Sequence, residues 1–203
     1  MRIDERKALL RRIERERWLT GATARERERK GRLIQGRFLS AFPPGAGRKV
    51  ALYAAVRGEV DTERIRNVCL AVGAAVFYPV LGAEGNLLFY PHGAGDGWVE
   101  GRFGLREPEV APGAEGLKGG FDVVIVPGLA FDAKGRRLGQ GYGSYDRFLF
   151  GLGGSALTVG LAYAWQLVEE VPADDWDVPV DVVVTEEGIL RAAGDGLLRE
   201  RLT

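Results

Sequence analysis

The segment DVVIVPGLAFDAKGRRLGQGYGSYDRFL, residues 122–149, holds the side chains and spacings best suited to chemistry. A β-branched run stops at Pro127-Gly128, a polar loop follows, and Gly139, Gly141 and Gly143 lead into a predicted helix from about Tyr145 to Leu152. Alternate glycines let backbone N–H groups approach an oxyanion without Cβ interference, and a helix N-terminus adds free amides and partial positive charge. Arg136 and Arg137 bring full charges. The run from Gly135 to Asp146 therefore reads as a nucleotide-phosphate-binding loop. It matches neither the GxxxxGK[ST] pattern nor a GxGxxG placed directly after a strand. By themselves the glycines fit a plain turn equally well. Asp146 closes the loop, where a carboxylate could hold Mg²⁺ or simply cap the helix.

Composition narrows the chemistry further. Cys69 and His92 are the lone members of their types, so neither an internal disulfide nor a zinc cluster of cysteine and histidine ligands is available. Any metal must be held by carboxylates. A lone loop histidine is more often incidental than catalytic, and His92 is given no role as general base. The 28 basic and 28 acidic residues cancel, so no global field favours nucleic acid or a membrane surface, although the first 37 residues are locally rich in arginine. No apolar run approaches the roughly 20 residues that span a bilayer, and the N-terminus lacks a signal-peptide core. The expectation is a cytoplasmic protein with a small-molecule substrate, present as a monomer or weak homodimer.

The elements that must position the loop follow from periodicity. Ile3, Leu9, Leu10, Ile13 and Trp18 mark an amphipathic helix closed near Thr20-Gly21, and Leu33, Ile34, Phe38 and Leu39 a second one ended by Pro43-Pro44-Gly45. KVALYAAV (49–56) predicts a buried strand, residues 61–72 a helix, and AAVFYPVL (74–81) another strand, which together make a βαβ unit. NLLFYP (86–91) follows a glycine turn, and the Gly/Pro-rich stretch 91–120 reads as a loop or site wall. DVVIVP, ALTVGLAY and VDVVVTEEGIL supply the remaining strands, the last with a hairpin-like turn at its EEG. Short β-branched runs alternating with helices imply α/β architecture: three layers, α/β/α, a mostly parallel doubly wound sheet, and one domain over 1–203.

VPGLAFD followed by RLGQGYGSYDRFL resembles the signature of the 5-formyltetrahydrofolate cyclo-ligase family. KALLR, GEVDT and DVPVDVVVTEEG resemble, in the same order, that family's N-terminal nucleotide-binding segment, its folate-contacting segment and its closing strand and turn. The resemblance implies ATP- and Mg²⁺-dependent conversion of 5-formyltetrahydrofolate to 5,10-methenyltetrahydrofolate, with release of ADP and phosphate. It places ATP on Lys7, Arg11, Arg137, Leu138, Gly139, Gln140, Gly141, Tyr142, Gly143, Ser144 and Tyr145, with catalysis at Arg137, Gln140 and Tyr145. It places the reduced folate against Ala54, Glu59, Phe103 and Tyr145, and the metal on Asp146 and Asp177. Phosphoryl transfer needs positioning and charge neutralisation more than a covalent nucleophile, which this set can supply.

The family loop commonly reads RLGRG, then Gly or Lys, then GYYD. This chain has Gln140, Tyr142 and Ser144 at the differing points. Glutamine offers a neutral amide where arginine would offer a charged planar fork. The alternatives are therefore a relative with weakened turnover, or an ATP-dependent enzyme for another formyl or carboxyl substrate.

Overall fold

A computed structural model describes residues 2–56 and 58–192, the side chains of Leu19 and Phe103 apart. The elements are α1 (Ile3–Thr20), α2 (Ala24–Ala41), β1 (Lys49–Ala51), α3 (Glu63–Ala71), β2 (Ala75–Leu81), β3 (Leu87–Pro91), β4 (Trp98–Glu100), β5 (Arg106–Pro108), β6 (Val123–Val126), β7 (Ala130–Phe131), β8 (Arg137–Leu138), α4 (Ser144–Leu152), β9 (Leu157–Leu161), β10 (Val182–Val184) and β11 (Ile189–Arg191).

Seven strands form the main sheet in the order β11-β10-β9-β6-β1-β2-β3. The five from β10 to β2 run parallel, and β3 and β11 are antiparallel edges. Side chains alternate between two cores, as the period of two in a strand requires. Val50, Leu52, Ile125, Val182 and Val184 face Ile34 and Phe38 of α2 and Ile65 and Cys69 of α3. Ala51, Val124, Val126 and Val183 face Phe148, Leu149 and Leu152 of α4. The three-layer reading holds. From β1 the chain moves to β2 on one side, and from β6 it moves to β9 and β10 on the other, so the strand order reverses between β1 and β6. The carboxyl ends of that pair open the crevice where α/β sheets bind ligands.

Several boundaries differ from expectation. The strand expected over 49–56 is only Lys49–Ala51. Leu52 still donates to the Phe77 carbonyl, but Tyr53 then leaves the ladder. Its hydroxyl donates to the Val60 carbonyl at 2.7 Å and its carbonyl accepts from the Thr62 hydroxyl at 2.8 Å, folding 53–62 into a closed loop. The stretch 91–120 contains the β4–β5 hairpin. Residues 130–138 form a second short hairpin, β7–β8. The EEG turn joins β10 to antiparallel β11, with Thr185 N–H donating to the Gly188 carbonyl.

Helix α1 buries only part of the apolar stripe its sequence offers: Trp18 is buried and Leu10 packs beside it. Leu9 and Ile13 are about two-fifths exposed. The buried positions are Lys7, Glu14 and Trp18, with Arg11 half-buried between them. On that face Lys7 and Arg11 reach Asp174 and the Gly139 carbonyl, Glu14 pairs with Arg17, and Trp18 packs with Leu129 and Leu138. Among the described residues, no helix is long and apolar enough to cross a membrane.

Candidate active site

The loop after β6 is built on Asp132. Its buried carboxylate accepts from the amides of Lys134, Arg136 and Val171 at 2.9–3.1 Å and from Arg136 Nε at 2.6 Å. This fixes the turn between β7 and β8, and Gly135 completes it at φ 75°. Asp-x-x-Gly is a turn signature, which is the signal that could have found Asp132 from sequence.

Arg137 leaves that hairpin into the crevice with only 4% of its side chain exposed. Its guanidinium donates to Asp146 Oδ1 at 2.9 Å and to the Pro127 carbonyl at 3.3 Å, and lies 5.6 Å from the Tyr145 ring centre. Two glycines make room for it. A Cβ on Gly128 would come within 3.0 Å of Arg137 Cγ, and one on Gly139 within 2.6 Å of Arg137 Nη1. Arg137 Nε is buried without a hydrogen-bond partner among the described residues, as is Ser144 Oγ.

Helix α4 begins after Gly143, which sits at φ 66° and has no side chain to cap the first turn. Its first-turn amides are thus left to a ligand or solvent. Gly141 at φ 110° allows the reversal just before it. From α1, Arg11 Nε donates to the Gly139 carbonyl at 3.0 Å, and Arg15 donates to the Gln140 side-chain oxygen at 3.0 Å. Burial and the nearby Arg15 both lower the Arg11 pKa, as expected where positive charge is crowded.

Lys7 lies one turn earlier on α1, held between Asp174 at 2.7 Å and Asp177. Burial acts to lower its pKa, but the hydrogen bonds and charges of the two aspartates outweigh it and the net shift is upward. Asp177 also accepts from the Asp174 amide, so Lys7 pins the whole 174–177 turn. Asp146 and Asp177 both act on Arg11 electrostatically, so both carboxylates lie within reach of its charge.

Glu59 approaches from the other side of the crevice, at the end of the loop that follows β1. Its Oε2 accepts from the Val56 amide at 3.1 Å, and desolvation pushes its carboxyl up to about 7. Burial pushes the phenols of Tyr53 and Tyr145 upward, and the charge of Glu59 adds to the rise in both. Tyr145 is therefore within electrostatic reach of both the Glu59 carboxylate and the Arg137 guanidinium. Beside Glu59, a cleft of about 820 Å³ runs between α2 and α3, lined by Arg27, Gly31, Gln35, Gly58 and Tyr163 among others. Gly58 and Glu59 line it on the side of the loop after β1, and the cationic side chains described above are not among its lining residues.

The structure brings together Lys7, Arg11, Arg137, Gly139, Gln140, Gly141, Gly143, Tyr145, Asp146, Asp177 and Glu59. Ala54 lies half-buried in the loop after β1. Leu138 turns its side chain into a core with Trp18, Leu129 and Val171, so only its backbone is available to a ligand. Tyr142 is 60% exposed. Phe103 lies in the turn Arg102–Gly104, and its side chain falls outside the described residues. Among the described residues, no three His, Cys, Asp or Glu side chains form a metal cluster. A Mg²⁺ ion carried on phosphates needs only one or two carboxylates plus water, which Asp146 and Asp177 fit. His92 stacks on Trp98 with ring centres 4.1 Å apart and meets Arg66 at 3.3 Å. Its amide donates to the Val76 carbonyl and its ring also meets Tyr78 at 5.4 Å, so it packs beside β2 and outside the set of side chains above.

Fold and site thus define an α/β protein with a cationic, glycine-lined loop at the switch point of a mostly parallel sheet. Comparison with known proteins narrows that class. The model of the 5-formyltetrahydrofolate cyclo-ligase family matches residues 3–186. The chain is 33% identical over 166 residues to the 5-formyltetrahydrofolate cyclo-ligase of Escherichia coli (strain K12), covering 80% of this chain and 91% of that one. The solution structure of Aquifex aeolicus 5,10-methenyltetrahydrofolate synthetase is 32% identical, superposes with a TM-score of 0.80 and covers 95% of each chain. The Mycoplasma pneumoniae 5,10-methenyltetrahydrofolate synthetase, 21% identical, shares the fold with a TM-score of 0.69 over 89% of this chain and 98% of that one. This chain belongs to the 5-formyltetrahydrofolate cyclo-ligase family.

Proposed function

We propose that the protein converts 5-formyltetrahydrofolate and MgATP to 5,10-methenyltetrahydrofolate, ADP and phosphate. The observation that carries this reading is the meeting of two unlike half-sites at Tyr145: a cationic, glycine-lined cradle on one side and the recessed acid Glu59 on the other. A triphosphate fits the first half. The uncapped start of α4, the unpartnered Arg137 Nε and the guanidinium of Arg11 all favour concentrated negative charge. A reduced pterin fits the second, since its amino and ring N–H groups can donate to the Glu59 carboxylate.

The chemistry follows from that juxtaposition. The formyl oxygen attacks the terminal phosphorus and ADP departs. N10 then attacks the formyl carbon and loses its proton, the carbon–oxygen bond breaks, and the oxygen leaves as part of phosphate. Arg137 faces the transferring group and offsets charge on its oxygens, while Asp146 holds that guanidinium in place. Tyr145 stays a neutral phenol, able to donate to an oxygen or pack against the substrate ring. Asp146 and Asp177 would hold Mg²⁺, which would supply further charge neutralisation to the phosphates. Incubation with 5-formyltetrahydrofolate, ATP and Mg²⁺ tests the reading through the near-ultraviolet absorbance of the methenyl product. Its absence with well-folded protein overturns the reading, and ADP release with another formyl or carboxyl compound would assign a different acceptor.

A further inference from the structure

Two consecutive carbonyls of the glycine loop are held by two arginines one helical turn apart on α1. Arg11 Nε donates to the Gly139 carbonyl at 3.0 Å, and Arg15 Nη2 reaches the Gln140 carbonyl at 3.4 Å. A trans peptide carries its C=O and the next residue's N–H on opposite sides, and no cis bond occurs among the described residues. Drawing the carbonyls of 139 and 140 toward α1 therefore turns the amides of Gln140 and Gly141 away from α1. Among the described residues, neither amide makes a hydrogen bond.

Arg15 does more than orient the loop. Its Nη2 is also bound by the Gln140 side-chain oxygen at 3.0 Å, which fixes a guanidinium at the tip of the loop. A guanidinium has five N–H donors, and Gln140 engages one nitrogen. The other nitrogens of the fork remain available to an anion at the tip of the loop. Gln140, which is neutral, thereby places a positive charge where its own side chain has none. Resting on the ATP reading above, we propose that Arg15 is a phosphate-binding residue of this chain, bracketed at the glycine loop by Gln140. The loop's cation comes from α1 rather than from the loop itself, so Gln140 need not mean weakened turnover.

The test is the affinity of full-length protein for MgATP, measured by calorimetry in Arg15→Ala, Arg15→Gln, Gln140→Arg, the Arg15→Ala/Gln140→Arg double variant and the off-face control Arg12→Ala. Loss of a charge-assisted contact to phosphate should weaken binding about tenfold in Arg15→Ala and Arg15→Gln, and Arg12→Ala should bind as the wild type does. A guanidinium at position 140 should restore the double variant to within about twofold of the wild type, because it supplies the missing charge in place. Wild-type affinity in both Arg15 variants overturns the proposal. So does a double variant as weak as Arg15→Ala, which would reduce Arg15 to a strut between α1 and the loop. Failure of the wild type itself to bind MgATP is a distinct result, overturning the ATP reading and this proposal together.

Discussion

Replacing Glu59 with glutamine removes a charge from a place where desolvation opposes it. The carboxyl titrates at about 7 in the folded protein against an ordinary 4.5, so the folded state holds its proton more tightly than the unfolded chain does. For an acid shifted upward the consequence is a penalty. It is absent below about pH 4.5, grows across the window up to about 7, and is complete above it. The full shift corresponds to about 3 kcal/mol, and residual solvent contact reduces what is measured to roughly 1–3 kcal/mol. Glu59→Gln keeps an oxygen for the Val56 amide and escapes the penalty. Urea unfolding should therefore show the variant more stable than the wild type at pH 8 and nearly equal to it at pH 5. Its affinity for 5-formyltetrahydrofolate should fall about ten- to a hundredfold, the loss of charge-assisted hydrogen bonds. The wild-type KM for the folate should itself rise about tenfold per pH unit below about 7, as the ionised fraction falls. Equal stability of the two proteins at pH 8, or a wild-type KM flat down to pH 5.5, would refute the reasoning.

Other outcomes follow from the same geometry. Arg137→Met leaves Asp146 without its partner and should cost roughly 2–4 kcal/mol of stability, with turnover reduced at least about a hundredfold. Gly128→Ala drives a Cβ into Phe131 and Arg137, so it should lower kcat far more than a surface change while costing about 1–3 kcal/mol in thermal unfolding. Lys7→Met leaves Asp174 and Asp177 facing each other. The stability Lys7 provides is complete below the ordinary lysine value of 10.5 and is lost only as pH climbs through its raised folded value, so the wild-type advantage over Lys7→Met should persist at pH 9. His92→Phe, packed against Trp98 and Tyr78 beside β2, should leave kcat and KM unchanged, and a large loss of kcat without loss of stability would contradict its placement outside the site.

Much of the fold was legible because buried parallel strands are written as β-branched runs. VVIV, LTVGL and VVV stand out from their surroundings. KVALYAAV misled because its apolar pattern continues after the chain has left the sheet: Tyr53 is buried, but against Val60 and Thr62 rather than in the ladder. The β4–β5 hairpin was hidden because three-residue strands show too little alternation to register. In the site, the glycine loop and Asp146 could be read locally, since one turn and one helix start hold them. Lys7 with Asp174 and Asp177 is a contact across nearly the whole chain, which no local pattern specifies. Arg15 was missed although Lys7, Arg11 and Arg15 repeat every four residues. On a helix crowded with charge, that spacing looks like an ordinary solvated face until the loop is seen against it.

The central claim is that the formyl oxygen is phosphorylated and leaves as phosphate when N10 closes the ring. Turnover of 5-formyltetrahydrofolate carrying a heavy oxygen isotope in its formyl group, with unlabelled ATP, tests this directly. Mass analysis should find the label in inorganic phosphate, one labelled oxygen for each methenyl product and each ADP formed. Label released to water, or methenyl product formed without ADP, would contradict it.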